Sequence, residues 1–241
     1  MPRAPLYRAT YAFGPGSISS AIKALILTNV AVYFVSLVFR PMTLLFGLVP
    51  AAVVEQFHVW QLVTYMFLHG SLLHILFNML ALWMFGTELE RMWGRHFFLK
   101  YYFVTGIGAG AITVLMSFLP FDFATRMYYA VTIGASGAIY GLLLAFGLYF
   151  PDRPIYVYAI FPIPAKYFVM IFGAIALLSS ISESDSGTAH IAHLGGLLVG
   201  YLYLIGGRIH PLAEIKYRYL KWKYNRTRKK FDVYSGGKRM H

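Results

Sequence analysis

Six stretches of this chain are too apolar for water to be their only solvent, and that limits the fold more than any other feature. They cover residues 18–39, 72–87, 97–119, 136–150, 163–181 and 189–205, each bounded by polar, Pro or Gly breaks. Several fall short of the roughly 20 residues of a simple bilayer span. Hydrophobic residues make up 59% of the chain and charged residues 12%, against about 45–50% and about 25% in soluble domains. So few polar groups cannot cover so apolar a core, and lipid has to cover the rest. Inside lipid the backbone must satisfy its own hydrogen bonds, which for runs of this kind means helices. The expected fold is an all-α polytopic bundle of six transmembrane helices.

The first run is not followed by a small-residue cleavage site, so it is read as a retained span. Six spans place both termini on one side. Nineteen of the 21 Lys and Arg then lie on that side, leaving Arg40 and Arg126 on the other. The positive-inside tendency makes the termini cytoplasmic, and a bacterial inner (plasma) membrane is the expected setting. The expected division is a cytoplasmic N-terminal segment (1–17), a membrane domain (18–206) and a basic cytoplasmic tail (207–241). The formal net charge is +12, and the tail from Lys216 to Lys230 interleaves aromatics with cations. Nucleic acid could bind such a tail, but anionic headgroups beside the last span explain it without a further partner. Membrane lipids are therefore expected, and nucleic acid is not. Residues 40–70, with Pro41, Pro50, Glu55 and Trp60, are too polar to span and too apolar for a free loop. They are read as an outer interfacial or re-entrant structure.

Polar groups inside spans are costly, so each asks for a reason. The second span holds His74 and Asn78, four apart and on one helix face. The fourth begins Gly134-Ala135-Ser136-Gly137, and the sixth holds His190 and His193. Any one of these alone is an ordinary packing serine or an interhelical hydrogen bond. Their depth changes that. Counting back from Glu88, from the Pro151–Pro154 block and from Arg208 puts His74, Ser136 and His193 all about 21–23 Å above the inner edge. In a core about 30 Å thick they share one level, about 8 Å below the outer edge. Gly137-x-x-x-Gly141 and Gly196-x-x-x-Gly200 are small-residue faces that let helices meet closely. His193 precedes Gly196 by three and Gly200 by seven, so this face would bring His193, rather than His190, toward Ser136.

A serine hydroxyl becomes a nucleophile when a neutral imidazole takes its proton, and Ser136 with His193 supplies that pair. No Asp or Glu lies within the six runs, so a dyad is expected rather than a triad. Tyr140, one turn after Ser136, offers a ring to the imidazole. The Ser136 N–H at a helix start, with donors from His74 and Asn78, would serve the developing oxyanion. The fourth run is only about 22 Å long. Its approach, Val131 to Ala135, must therefore descend below the surface beside protein or water.

The stretches His69-Gly-Ser-Leu-Leu-His-Ile-Leu-Phe-Asn78, Glu88-Leu-Glu-Arg91 with Trp93-Gly94, Gly134-Ala-Ser-Gly-Ala-Ile-Tyr-Gly141 and Ala192-His-Leu-Gly-Gly-Leu-Leu-Val-Gly200 closely resemble the rhomboid intramembrane serine proteases. The resemblance runs from about Glu55 to Gly206. It implies a six-helix rhomboid-like bundle and substrates that are membrane-spanning helices. It further implies Ser136 as nucleophile, His193 as base, His74 and Asn78 in the oxyanion site, and Tyr140 stacked on His193. Glu90 would brace the outer loop structure. Where the family commonly carries Trp-Arg, this chain has Trp60-Gln61, which puts a charge-based role at the second position in doubt. A catalytically silent relative would be expected to lose Ser136, His193 or the glycines, and this chain keeps them. A transporter path would need polar groups in the inner half of the second span, which reads Met-Leu-Ala-Leu-Trp-Met-Phe after Asn78. A metal site from His69, His74, His190 and His193 ranks low without Cys or a nearby carboxylate, so neither metal nor cofactor is expected.

Overall fold

The computed structural model describes residues 16–120, 122–157, 161–181, 187–206, 234–235 and 238–239. The expected terminal segments (1–15 and most of 207–241, with Arg3, Arg8 and the basic tail) lie outside the described residues. So do the loop acids Glu183 and Asp185. Among the described residues four helices are long and apolar enough to cross a membrane: Ser20–Val38, Leu72–Trp93, Arg95–Met116 and Ala189–Gly206. Two shorter apolar helices are Ser136–Tyr149 and Ala165–Leu178. Many apolar side chains on these helices stay uncovered, among them Val38 at 88%, Leu178 at 69% and Met170 at 66% exposed. Patches of that kind on long helices belong against lipid. The chain is an integral, multi-span helical membrane protein.

In order, the helices are α1 (Ser20–Val38), α2 (Met42–Phe46), α3 (Pro50–Glu55), α4 (Gln61–Thr64), α5 (Leu72–Ala81), α6 (Thr87–Trp93), α7 (Arg95–Met116), α8 (Asp122–Tyr129), α9 (Ser136–Tyr149), α10 (Ala165–Ile181) and α11 (Gly187–Gly206). A π turn over Leu82–Gly86 joins α5 to α6, so this rod runs past the charged boundary at Glu88 to Trp93. Gly86 sits in that turn, and a Cβ there would lie 2.6 Å from Ile22 Cδ1. The missing side chain lets α1 dock against the rod. Gly94, at φ 79°, separates α6 from α7 in a conformation that few other residues adopt. Strands β1 (Pro154–Val157) and β2 (Phe161–Pro164) form an antiparallel ribbon between α9 and α10.

The chain divides into two units, Met1–Tyr201 and Leu202–His241. The first holds the helical core, where Tyr65, Tyr101, Tyr102 and Phe98 are fully buried with Leu48, Met66 and Leu142. Buried phenols need acceptors. Tyr65 donates to the carbonyl of Gly106 (2.7 Å) and Tyr101 to that of Gly141 (2.8 Å). The second unit includes two short strands, β3 (Tyr234–Ser235) and β4 (Lys238–Arg239), paired antiparallel.

Segment 40–70 is a folded loop of α2, α3 and α4 ending in a 3-10 turn, Tyr65–Phe67. Pro50 opens α3, where its missing N–H leaves no broken bond.

Candidate active site

Ser136 is the first residue of α9, and the chain reaches it through an extended approach. Leu48 and Thr132 form an isolated antiparallel bridge, with N–H···O distances of 2.9 and 2.8 Å. Two residues later Gly134 donates to the Tyr65 carbonyl (2.9 Å). Gly134 has φ 122°, a region open in practice to glycine. It is also crowded: a Cβ there would lie 2.7 Å from His74 Nε2 and 3.7 Å from Ser136 Oγ.

Helices α9 and α11 meet backbone to backbone. A Cβ on Gly196 would collide with the Gly137 carbonyl oxygen. One on Gly200 would lie 3.2 Å from Gly141 Cα and 2.5 Å from the Tyr101 hydroxyl. On the other flank of α9, Cβ atoms on Gly137 and Gly141 would lie 2.8 Å from the Cβ atoms of Ala109 and Thr105 on α7. With no side-chain layer between α9 and α11, His193 comes to Ser136: its Nε2 lies 2.8 Å from Ser136 Oγ. The Tyr140 ring stacks on the imidazole at 4.2 Å between centroids and 7° between planes. The His193 Nδ1 is buried and has no hydrogen-bond partner among the described residues. His190 lies edge-on to His193 at 5.6 Å, so it neighbours the pair without joining it.

Ser71 caps α5 by accepting from the His74 N–H (3.1 Å). His74 Nδ1 accepts weakly from the Gly70 N–H at 3.5 Å. That bond assigns the ring proton to Nε2, the nitrogen beside Gly134. Asn78 is buried and spends one side-chain N–H on the His74 carbonyl, inside its own helix (2.8 Å). No group of three His, Cys, Asp or Glu among the described residues is placed to hold a metal ion.

Glu90 requires a correction. It does not brace the loop at 40–70. Its carboxylate accepts from Ser19 Oγ, Ser20 Oγ (3.4 Å) and the backbone N–H groups of Ala21 (3.1 Å) and Ile22 (3.3 Å), capping α1. The reason is distance. Glu90 lies sixteen residues after His74 on one continuous rod, about 24 Å away at helical rise, and a carboxylate suits the positive end of α1. The loop is braced by a residue the sequence did not assign to it. Gln61 is fully buried, with its Oε1 accepting from Val49 N–H (3.0 Å) and its Nε2 donating to the carbonyls of Leu44 (3.4 Å) and Leu45 (3.3 Å). Tyr65 is the other residue missed. Nothing in its neighbourhood in the sequence marks its carbonyl as the support of Gly134.

The Rhomboid domain model matches residues 56–208. The chain belongs to the rhomboid family. Rhomboid protease AarA of Providencia stuartii is 30% identical over 218 residues, covering 83% of this chain and 76% of AarA. Rhomboid protease GlpG of Haemophilus influenzae is 30% identical over 156 residues, 64% of this chain and 72% of GlpG. Rhomboid protease GluP of Bacillus subtilis is 34% identical over 158 residues, 65% of this chain but 27% of GluP. The chain thus spans about three quarters of AarA and little more than a quarter of GluP. As a rhomboid matching these named proteases, it is a serine protease of the rhomboid type.

Proposed function

We propose that this rhomboid hydrolyses peptide bonds in or near the transmembrane segments of membrane-protein substrates, through attack by Ser136 with His193 as general base. The observation that carries the proposal is the 2.8 Å contact between Ser136 Oγ and His193 Nε2. A neutral Nε2 accepts the hydroxyl proton as Oγ bonds to the scissile carbonyl carbon. The resulting imidazolium returns that proton to the leaving amine, and a water repeats the sequence on the acyl-enzyme. No carboxylate is needed to aim the ring, because the parallel Tyr140 face fixes its plane.

The oxyanion would sit near Gly134, whose lack of a side chain lets His74 Nε2 approach the Ser136 side of the site. A reacting group needs a place about 3 Å from both nucleophile and donor. His74 Nε2 and the Ser136 N–H at the positive end of α9 would donate there, with the second Asn78 N–H in reserve. Gly134, Gly137, Gly141, Gly196 and Gly200 support the pair by close approach. The charge asymmetry favours cytoplasmic termini in a bacterial inner membrane, with 1–17 and 207–241 flanking a membrane domain at 18–206. Lipids rather than nucleic acid would meet the basic tail.

The deciding experiment is adduct mapping. A serine-directed fluorophosphonate should modify Ser136 in the folded, detergent-solubilised protein, and Ser136→Ala should remove both the adduct and all cleavage of a single-span substrate. Cleavage that survives Ser136→Ala, or an adduct on another serine, overturns the proposal.

A further inference from the structure

A chain of hydrogen bonds links the fully buried Gln61 to the nucleophile's approach. Its amide orientation is fixed by its partners: the Leu44 and Leu45 carbonyls require a donor, and the Val49 N–H requires an acceptor. Together with Thr64, whose hydroxyl donates to the Phe46 carbonyl (2.7 Å), and Trp60, whose indole N–H donates to the Leu45 carbonyl (3.0 Å), it holds the backbone of 44–49 from one short helix. That held backbone includes Leu48, which bridges Thr132 in both directions. Gly47, beside it, leaves room for Val131: a Cβ there would lie 2.7 Å from Val131 Cγ1. Four residues after Thr132 stands Ser136, with its N–H at the head of α9.

We infer that Gln61 is a positioning residue for the reaction, acting through the Leu48–Thr132 bridge to set where Gly134 and Ser136 stand relative to His74 and His193. The extended approach has few other fixings. Gly134 is held by the Tyr65 carbonyl, and Tyr65 follows α4 directly, so both supports of the approach come from the same loop. At the surface the Tyr128 hydroxyl donates to Glu55 Oε1 (2.9 Å), tying α8 to α3. That bond also raises the Tyr128 phenol above its ordinary pKa. An amide suits the buried place because it supplies donor and acceptor without a charge to desolvate. Loss of the donor would leave the Leu44 carbonyl without its side-chain partner and the Leu45 carbonyl with Trp60 alone, and free the loop to shift. A shift of about 1 Å at a reacting group lowers rate by about 100-fold.

The test uses that donor–acceptor requirement. Protonated glutamic acid keeps one donor and one acceptor, as the amide does, whereas glutamate is an acceptor only. Gln61→Glu should therefore label at Ser136 with a fluorophosphonate near the wild-type rate at about pH 5. Relative to wild type it should fall by about 10- to 100-fold by about pH 10, a range that brackets a buried glutamic acid. His58, whose ring lies tilted against Trp60 at 4.4 Å, and the Glu55–Tyr128 pair are the same in both proteins, so the ratio removes their effect. Gln61→Met, apolar and of similar length, should be slow at every pH, with kcat reduced more than KM is raised. A flat Gln61→Glu ratio, a wild-type rate in Gln61→Met, or failure of Gln61→Glu to fold at acid pH each overturns the inference. It rests on Ser136 being the nucleophile. If wild-type Ser136 takes no label, both readings fall; if it labels and the variants match it, only this one does.

Discussion

Two polar clusters lie in an apolar bundle, one around Glu90 near the end of the Leu72–Trp93 rod and one around Ser136 and His193 on α9 and α11, and they are built in opposite ways. Around Glu90 the carboxylate collects two hydroxyls and two backbone N–H groups. Around Ser136 the bonding is sparse: one short contact to His193, a stacked ring, and a buried Nδ1 without a partner among the described residues. A saturated cluster has nothing left to react with and fixes a helix. An open one keeps a lone pair and a hydroxyl ready at the expense of stability. Hydrogen-bond saturation thus separates the structural polar site from the proposed catalytic one better than residue type does, since a carboxylate is the more obvious catalytic group.

The largest expected effect falls at the open cluster. Ser136→Ala should lower turnover of a single-span substrate by about 10⁴-fold or more while leaving the thermal unfolding midpoint close to wild type. A large drop in that midpoint would mean Ser136 is a packing residue, and the contrast would fail. Gly200→Val comes next, because its side chain must occupy space held by Gly141 Cα and the Tyr101 hydroxyl. It should separate α9 from α11 and remove fluorophosphonate labelling, with membrane insertion intact; wild-type labelling would show the seam to be unimportant. Asn78→Ala and His74→Ala should each reduce kcat by at most about 10²–10³-fold, as single oxyanion donors do. Unchanged kcat in either variant returns that residue to helix packing. The smallest effect on rate belongs to the saturated cluster. Glu90→Gln should destabilise by about 1–3 kcal/mol, read by denaturation in mixed micelles, yet keep turnover per folded molecule. Turnover lost in step with wild-type stability would blur the distinction between the clusters.

Much of this was legible in the sequence, and what was not has a physical cause. Apolar runs gave the helical membrane class because the solvent acts on whole segments. The proximity of Ser136 and His193 was readable because depth and glycine register are both periodic quantities. By hydropathy the second helix ends at Thr87, because Glu88 looks like a boundary. In fact Glu88 pairs with Arg153 (3.1 Å) and the helix continues. The resemblance puts Glu90 at the wrong end, although the helical rise that aligns His74 with Ser136 also puts Glu90 far from both. Gln61 and Tyr65 were beyond reach for another reason. They act on backbone carbonyls and N–H groups, which every residue carries and no side-chain pattern reveals.

The contact between α9 and α11 also restricts traffic. At Gly196 and Gly200 nothing separates the two backbones, whereas an extended polypeptide laid beside another strand needs about 4.7–4.9 Å of its own. A substrate chain therefore cannot thread this seam without prying apart the two helices that carry Ser136 and His193. The seam is a wall rather than a door, and under the proposed mechanism an incoming peptide would reach Ser136 from a flank other than the α9–α11 contact.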